Sequence, residues 1–216
     1  MPPGSLPSAA GGSRGYLESF VSEDELLRIA RARSLELGCT PVDTAVGAAL
    51  RFLATALQAR AVVEIGTGAG VSGLWLLRGM TSDGVLTSIE IEPERQQVAR
   101  WVFGQEGVPP SRTRLIMRRA TEVLPRLTDG GYDLVFADAA VTEYPRYLAE
   151  GMRLLRPGGV VAFRGVLRDG QVADPARRDP ETSALREVIR AVREDDRLVP
   201  LLLPLDDGLL AAAKVG

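Results

Sequence analysis

Three acidic residues and one glycine-rich segment are the features of this sequence whose types and spacing could support chemistry. The segment from 61 to 77 reads AVVEIGTGAGVSGLWLL. A glycine-rich turn between a strand and a helix lets the backbone approach a ligand and directs free helix N–H groups toward negative charge. The acids are Glu64, Glu90 and Asp138, and each lies at or near the end of an apolar stretch.

The predicted strands bring these acids to one edge of a sheet. The apolar segments 61–65, 84–91 and 132–138 each read as a strand and carry one of the acids near the carboxyl end. In open α/β sheets, ligands bind outside the carboxyl ends of the strands. Three acids at the same edge therefore indicate a binding site.

The glycine turn is compatible with NAD, FAD and S-adenosylmethionine (SAM), and also with a tight turn that binds no ligand. Residues 68–73 match the dinucleotide pattern G-x-G-x-x-G, but the glycines at 66, 68 and 70 begin earlier and fit a SAM turn better. Glu64 favours the same interpretation, because an acid near the sulfonium and ammonium groups of SAM is favourable. Glu90, 20 residues after Gly70, could accept hydrogen bonds from ribose hydroxyls in either class.

Strands and helices alternate along most of the chain, which is typical of a doubly wound parallel sheet. Two helices precede the first strand, whereas a dinucleotide domain often opens with that strand. Ser22, with Glu25 three residues later, predicts a capping box for the first helix. The last two strands, in RLVPLLLPL and GLLAAAKV, are joined by a turn too short for a crossover, so they must pair antiparallel.

Length and composition limit the class of protein. The 216 residues predict one domain over 14–216, with helices in 14–59, a core in 60–216 and a disordered tail in 1–13. The net charge of −2 gives no indication of nucleic-acid binding, and no apolar stretch is long enough to span a membrane. The absence of a signal peptide and the single cysteine, Cys39, predict a cytoplasmic protein. The sequence contains no histidine and one lysine, Lys214, which removes the commonest general base.

The sequence resembles the SAM-dependent O-methyltransferases of the catechol and caffeoyl-CoA type, and most closely their bacterial subgroup. The segments that carry the resemblance are VVEIGTGAGVSGLWLL, GVLTSIEIEPERQQVAR, RATEVLPRL, YDLVFADAAVTEYPRYL, RLLRPGGVVAF and DDGLLAAAK, in the family's order. The resemblance covers nearly everything from residue 22 to the end. It implies a Rossmann-like α/β methyltransferase fold with a seven-stranded, mostly parallel sheet, a C-terminal antiparallel hairpin and helices on both faces.

The resemblance also implies a set of residues that bind SAM. The residues that match the turn around the methionine end of SAM are Glu64, Gly66, Thr67, Gly68 and Ser72. Glu90 matches the acid that binds the ribose, and Ile91 lies beside the adenine. Ala120 matches the position whose backbone meets the adenine, and Val42 the residue whose backbone touches the amino-acid end. Asp138 matches an acid that is near both SAM and a metal ion.

Several departures from the family pattern argue against a catalytic metal. The family usually reads D-A-D-K at the end of the fourth strand, where this sequence has Asp138-Ala139-Ala140-Val141. The next strand usually ends in the metal ligands D-N, which are replaced by Arg164-Gly165. Arg119 likewise replaces an acid that the family often has near the adenine. Because a divalent cation needs several oxygen ligands, we predict that this protein uses none.

The remaining residues suggest how the reaction could proceed without the metal. Arg164 could take the place of the cation by pairing with Asp138 or with an anionic oxygen of the substrate. Asp138, Glu143 and Tyr144 are the candidates for a general base, and we favour Asp138. Tyr144 could instead orient the substrate.

The sequence is compatible with two main function classes and with a third that it favours least. The first is a metal-independent O-methyltransferase that acts on a hydroxyl of a small molecule. The second is a protein that binds SAM or S-adenosylhomocysteine (SAH) and has lost catalysis. An NAD-dependent oxidoreductase is the third and weakest interpretation. The resemblance further implies a homodimer.

Overall fold

The structure of the protein, a computed structural model, describes residues 20–216. The α-helices in this part are α1 (Glu25–Glu36), α2 (Thr44–Ala56), α3 (Val71–Gly79), α4 (Pro93–Gln105), α5 (Ala120–Val123), α6 (Tyr144–Leu154) and α7 (Pro180–Glu194). The strands are β1 (Ala61–Ile65), β2 (Val85–Glu90), β3 (Thr113–Met117), β4 (Tyr132–Ala137), β5 (Leu155–Arg164), β6 (Leu198–Leu203) and β7 (Leu209–Lys214). The predicted disordered tail, residues 1–13, lies outside the described residues.

The strands form a single seven-stranded sheet in the order β3-β2-β1-β4-β5-β7-β6. The first five strands are parallel, whereas β7 pairs antiparallel with both β5 and β6. The predicted α/β fold with a C-terminal antiparallel hairpin is therefore confirmed. The strand order reverses between β1 and β4, and a crevice at such a point is where open α/β sheets bind ligands.

Alternating side chains of the strands supply two apolar cores, one on each face of the sheet. In β1, Val62 packs with the core formed under α1–α4, and Val63 packs with the core formed under α5–α7. In β4, Leu134 likewise packs with the core under α1–α4, and Val135 packs with the core under α5–α7. Because neighbouring residues of a strand point to opposite faces, this burial on both sides explains why β1 and β4 are largely apolar and do not alternate with polar residues.

The first helix begins later than its sequence pattern predicted. The N-cap of α1 is Asp24, whose carboxylate accepts a hydrogen bond from the Leu27 amide at 3.0 Å. The predicted capping residue, Ser22, is wrong because it lies two residues before the cap, outside the helical turn that it would have to close. Asp24 also accepts a hydrogen bond from Arg78 of α3, which ties the start of α1 to the core helices.

Among residues 20–216, no helix combines the length and the apolar character that crossing a membrane requires.

Candidate active site

The turn after β1 contacts the end of β4 so closely that residue 66 must be glycine. Gly66 has a φ of +93°, and a Cβ built on it would lie 2.0 Å from the carbonyl oxygen of Asp138. The Asp138 amide donates to the Ile65 carbonyl at 2.8 Å, which fixes the two strand ends together. A local glycine pattern thus positions a carboxylate that lies more than 70 residues away in the sequence.

Glu64 lies beneath this turn in a buried network of hydroxyl groups. Its side chain has no exposed surface, and it accepts hydrogen bonds from Ser72 at 2.7 Å and from Ser88. Thr67 in turn contacts the Ser88 hydroxyl. Burial raises the pKa of Glu64 to about 7, although both serine hydrogen bonds oppose the increase. The carboxylate therefore does not line the surface, and it influences the turn above it through its charge and its hydrogen bonds.

Glu90 is held by backbone amides at the end of β2. One oxygen accepts a hydrogen bond from Gly68 at 2.8 Å, and the other accepts from Ile91 at 2.9 Å and Glu92 at 3.1 Å. A carboxylate has about four acceptor positions, so three amides leave room for one further donor. This arrangement suits an acid that binds a hydroxyl group while its orientation is fixed by the backbone.

Two adjoining clefts open above these residues at the carboxyl edge of the sheet. The larger has a volume of about 320 Å³, and the smaller has about 80 Å³. Five residues line both clefts, which makes them two parts of one elongated site: Gly66, Glu90, Ile91, Ala139 and Ala140.

The sequence-predicted residues divide between the surface of this site and the layer beneath it. The larger cleft is lined by the predicted residues Gly66, Thr67, Gly68, Glu90, Ile91 and Asp138, and the smaller one also by Ala120. The predicted residues that do not belong to the described lining are Val42, Glu64, Ser72, Tyr144 and Arg164. Among the residues that sequence reasoning missed, Cys39, Thr40 and Pro41 line the larger cleft from the loop between α1 and α2.

Val42 and Tyr144 have structural partners in the described chain. Val42 is 1% exposed, and its carbonyl accepts a hydrogen bond from Arg31 at 2.8 Å. Tyr144 is also 1% exposed, packs against Phe163, and donates its hydroxyl to the carbonyl of Arg164 at 2.9 Å. Burial raises the pKa of the Tyr144 phenol. Tyr144 thus supports the end of β5 from below the site.

Arg164 and Asp138 form an ion pair where the acid and the arginine leave neighbouring strands. Nη1 of Arg164 lies 2.9 Å from Oδ2 of Asp138, and the arginine side chain is only 12% exposed. Burial raises the pKa of Asp138, and Arg164 opposes that increase. The pKa of Arg164 is raised, because Asp138 and Asp206 outweigh the effect of burial. The guanidinium therefore carries a permanent positive charge beside Asp138.

Three further groups hold the Arg164 guanidinium. Nε donates to Asp206 at 2.6 Å, Nη1 donates to the Thr40 carbonyl at 2.9 Å, and Nη2 donates to the Pro41 carbonyl at 3.2 Å. Asp206 comes from the turn between β6 and β7, and Thr40 and Pro41 come from the loop that lines the larger cleft. The Arg164 side chain thus connects the end of β4, the turn between β6 and β7, and the wall of the larger cleft. Asp206 belongs to the segment DDGLLAAAK that carries the family resemblance, but no local pattern pairs it with Arg164.

The residues of this site do not fit a divalent metal ion. Mg²⁺ and Ca²⁺ require about six or more oxygen ligands, and here the carboxylates of Asp138 and Asp206 are both already paired with the Arg164 guanidinium. Ala140 and Gly165 add no side-chain oxygen. Across residues 20–216 there is no group of three or more His, Cys, Asp or Glu side chains that could hold a metal.

The fold and the site together define a Rossmann-like protein that binds an adenosyl cofactor. The elongated cleft lies at the switch point of a doubly wound sheet, beside a glycine turn and an acid that is placed to bind a ribose. The model of the O-methyltransferase family matches residues 18–215. A relative from Mycobacterium sp. (strain JLS), which is named for the same activity, is 51% identical over 213 residues, covering 99% of this chain and 97% of the relative.

Two solved structures show the same architecture. A protein from Corynebacterium glutamicum has a TM-score of 0.90 and 31% identity, covering 97% of this chain and 98% of its own. The O-methyltransferase TomG from Streptomyces achromogenes, involved in tomaymycin synthesis and solved with SAM, has a TM-score of 0.88 and 29% identity, covering 98% of this chain and 100% of its own.

This chain belongs to the O-methyltransferase family, and it is a SAM-dependent transferase. The resemblance inferred from the sequence is thereby confirmed.

Proposed function

We propose that this enzyme methylates a hydroxyl group of a small molecule without a catalytic divalent metal, and that Arg164, held against Asp138 behind the lining of the cleft, supplies a positive charge near the reacting oxygen. The observation that carries the proposal is the 2.9 Å contact between Arg164 and Asp138. A guanidinium cannot be deprotonated in a protein and donates from a rigid plane, so it suits an anionic oxygen. It therefore provides a fixed charge that needs no bound ion.

The cofactor fits the two clefts through residues that line them or lie directly beneath. When bound, SAM supplies an electrophilic methyl group on a sulfonium. Glu90 has one acceptor position left for a ribose hydroxyl, and Gly66 to Gly68 let the backbone approach the ligand. Asp138, together with Glu64 in its ionised form, places negative charge near a cofactor whose methionine end carries positive groups.

Asp138 is the group that we assign as the general base. It lines the larger cleft, and Arg164 engages its Oδ2, which leaves Oδ1 to accept a proton from the acceptor hydroxyl. Burial raises its pKa, which improves the match to a proton donor at neutral pH. The adjacent guanidinium then stabilises the negative charge that develops on the oxygen. Positioning accounts for the rest of catalysis, since methyl transfer is an in-line displacement.

We also propose that the protein is a cytoplasmic homodimer that acts without nucleic acid. The net charge of −2 supports the last point, and a single free cysteine fits a reducing compartment. Leu35 of α1 and Phe52 of α2 are 60% and 71% exposed, which favours a partner surface on the N-terminal helices. Sedimentation equilibrium of the wild type and of a Leu35→Glu, Phe52→Glu double variant tests the dimer, and a wild-type monomer contradicts it.

Metal independence is tested by binding and by turnover. We expect SAH to bind with the same Kd in buffer that contains EDTA and in buffer that contains Mg²⁺. When Mn²⁺ is added to the protein with SAH, electron paramagnetic resonance should detect no protein-bound Mn²⁺. Transfer from SAM to a panel of phenols and catechols should proceed equally in EDTA. A tightly bound Mn²⁺, or a rate that EDTA abolishes, contradicts the proposal.

The alternative, a cofactor-binding protein without catalysis, is favoured by one observation. Arg164 donates hydrogen bonds to four acceptors, and these bonds hold the cleft wall and the turn between β6 and β7 in place. If SAH binds and no acceptor in a broad hydroxylated panel is methylated, this second function replaces the first.

A further inference from the structure

Glu64 is a fully buried acid whose partners among residues 20–216 include no cation. Its side chain is 0% exposed. The hydroxyl of Ser72 donates to Oε1 at 2.7 Å, and the hydroxyl of Ser88 donates to Oε2. A buried carboxyl group that lacks a cationic partner tends to keep its proton. Glu64 therefore has a protonated and an ionised state of similar free energy, and the charge around it decides between them.

Uncharged residues surround Glu64 on the elements that pack against it. Ser88 of β2 and Phe136 of β4 lie next to it in the register of the sheet. A Cβ built on Gly73 of α3 would lie 3.0 Å from Oε2 and 2.7 Å from Phe103 of α4, so these two helices close the remaining side. No positive charge from these elements balances an ionised Glu64.

The charged groups that act most on Glu64 are two further acids. Burial is the main cause that raises the pKa of Glu64 to about 7, and the charges of Asp138 and Glu90 add to the increase. Both acids line the larger cleft. A positive charge placed in that cleft would oppose their effect and favour the ionised form of Glu64.

A chain of hydroxyl groups connects Glu64 with the cleft. The Ser88 hydroxyl that donates to Oε2 also contacts the hydroxyl of Thr67, and Thr67 lines the larger cleft. Because a hydroxyl group both donates and accepts, a proton can pass along this chain when the two groups reorient. Glu64 can thus exchange a proton with the cleft although no ligand reaches its carboxyl oxygens.

The two forms of the cofactor differ by one charge. SAM carries a sulfonium cation, whereas SAH has an uncharged thioether at the same position. The adenosine and the amino-acid end are common to both. At an effective dielectric constant of about 20, a unit charge about 10 Å away shifts a pKa by about one unit, so the sulfonium can act on Glu64 without contact.

We infer that Glu64 responds to the charge of the cofactor: it is ionised while SAM occupies the cleft and takes up a proton once SAH remains. The inference rests on the proposed binding of SAM in the two clefts. In the transfer, the S–CH₃ bond breaks, the O–CH₃ bond forms, and the proton of the acceptor hydroxyl passes to Asp138. The sulfonium charge disappears, and Glu64 then gains one proton from the cleft through Ser88 and Thr67. By linkage, the preference for SAM over SAH becomes stronger as the pH rises.

The test counts protons by calorimetric titration of SAM and of SAH in two buffers that differ in ionisation enthalpy. At about pH 7 the wild type should release about 0.4 of a proton more on binding SAM than on binding SAH, as expected for a pKa that falls by one unit. The ratio of the Kd for SAH to the Kd for SAM should rise about tenfold between about pH 5 and about pH 8.5.

Three variants assign these effects to Glu64. Glu64→Gln should abolish both, and protons that are exchanged by the ligands or by other carboxylates cancel in its comparison with the wild type. Ser88→Ala removes a donor to the ionised form, so the rise in the Kd ratio should move to higher pH by about one unit. Asp133→Asn is the matched control, because this acid lies at the other end of β4 and accepts the amides of Arg60 and Ala61. It should retain the wild-type values.

Each outcome has a separate meaning. An equal proton count for SAM and SAH in the wild type, or an excess that Glu64→Gln retains, overturns the inference. If the folded wild type binds neither ligand, the proposed cofactor site fails and the inference fails with it. If the excess depends on Glu64 but no hydroxylated acceptor is methylated, the response to cofactor charge stands and the proposed transfer fails.

Discussion

Arg164 and Asp138 occupy equivalent positions at the ends of two neighbouring strands. Ala137 of β4 pairs with Phe163 of β5, so the next residue of each strand is a member of the ion pair. The contact therefore follows from the register of the sheet. It places a fixed positive charge against the one carboxylate that lines the larger cleft from this strand end.

Replacing Arg164 with alanine should reduce methyl transfer by about 10²-fold or more, because a preorganised donor to the developing charge is removed. The variant should also lose roughly 3 kcal/mol of stability, since Asp138 is left without its buried partner. The turnover number and urea unfolding measure the two effects.

Arg156→Ala is the control for that variant. Arg156 lies on the same strand, and its Nε contacts Asp133 of β4 at 2.6 Å, at the opposite end of the sheet. It should lower stability without changing the turnover number of the folded protein. Equal transfer rates in the wild type and Arg164→Ala would remove Arg164 from the mechanism.

Asp206→Asn should reduce kcat/KM for the acceptor by about fivefold and leave the Kd for SAH unchanged. The substitution turns a charge-assisted hydrogen bond to Arg164 Nε into a neutral one, worth about 1 kcal/mol less, while the other three contacts of the guanidinium persist. Asp207→Asn is the neighbouring control, since among the described residues the Asp207 carboxylate accepts a hydrogen bond only from the Asp169 amide. The role assigned to Asp206 is disproved if both variants retain the wild-type kcat/KM.

Local sequence patterns were sufficient to bring several candidate residues to one cleft. Glycine spacing and strand ends located Gly66, Glu90 and Asp138 at the larger cleft. Asp206 escaped prediction because it lies 42 residues from Arg164 and reaches it only through the antiparallel insertion of β7 beside β5.

Burial was the other property that sequence patterns did not supply. Tyr144 is a sequence-based candidate for a general base or for orienting the substrate, but its hydroxyl contacts the backbone below the site. This burial depends on how α6 packs on the sheet, and it is not encoded in the spacing of residues.

Gly66→Ala should destabilise the protein by more than about 2 kcal/mol and abolish SAH binding. The added Cβ would lie 2.0 Å from the Asp138 carbonyl, and the φ of +93° is unfavourable for alanine. Gly104→Ala provides the comparison, because that helical position has open space around it. It should stabilise α4 by about 0.5–1 kcal/mol. Thermal unfolding and SAH titration distinguish these results, and a stable Gly66→Ala variant with normal affinity contradicts the expected clash.

The buried Glu64 should make stability decrease as the pH rises from about 5 to 8. Its pKa is about 7 in the folded protein against an ordinary value of 4.5, so the folded state retains a proton that the unfolded chain releases. Over this pH interval the penalty should grow by about 2 kcal/mol. Glu64→Gln cannot ionise, so the difference in unfolding free energy between the wild type and this variant isolates the effect from that of other carboxylates. Urea unfolding at pH 5 and pH 8 gives that difference. If the difference is the same at both pH values, Glu64 ionises in the folded protein at its ordinary pKa, and the hydroxyl groups of Ser72 and Ser88 fully offset its burial.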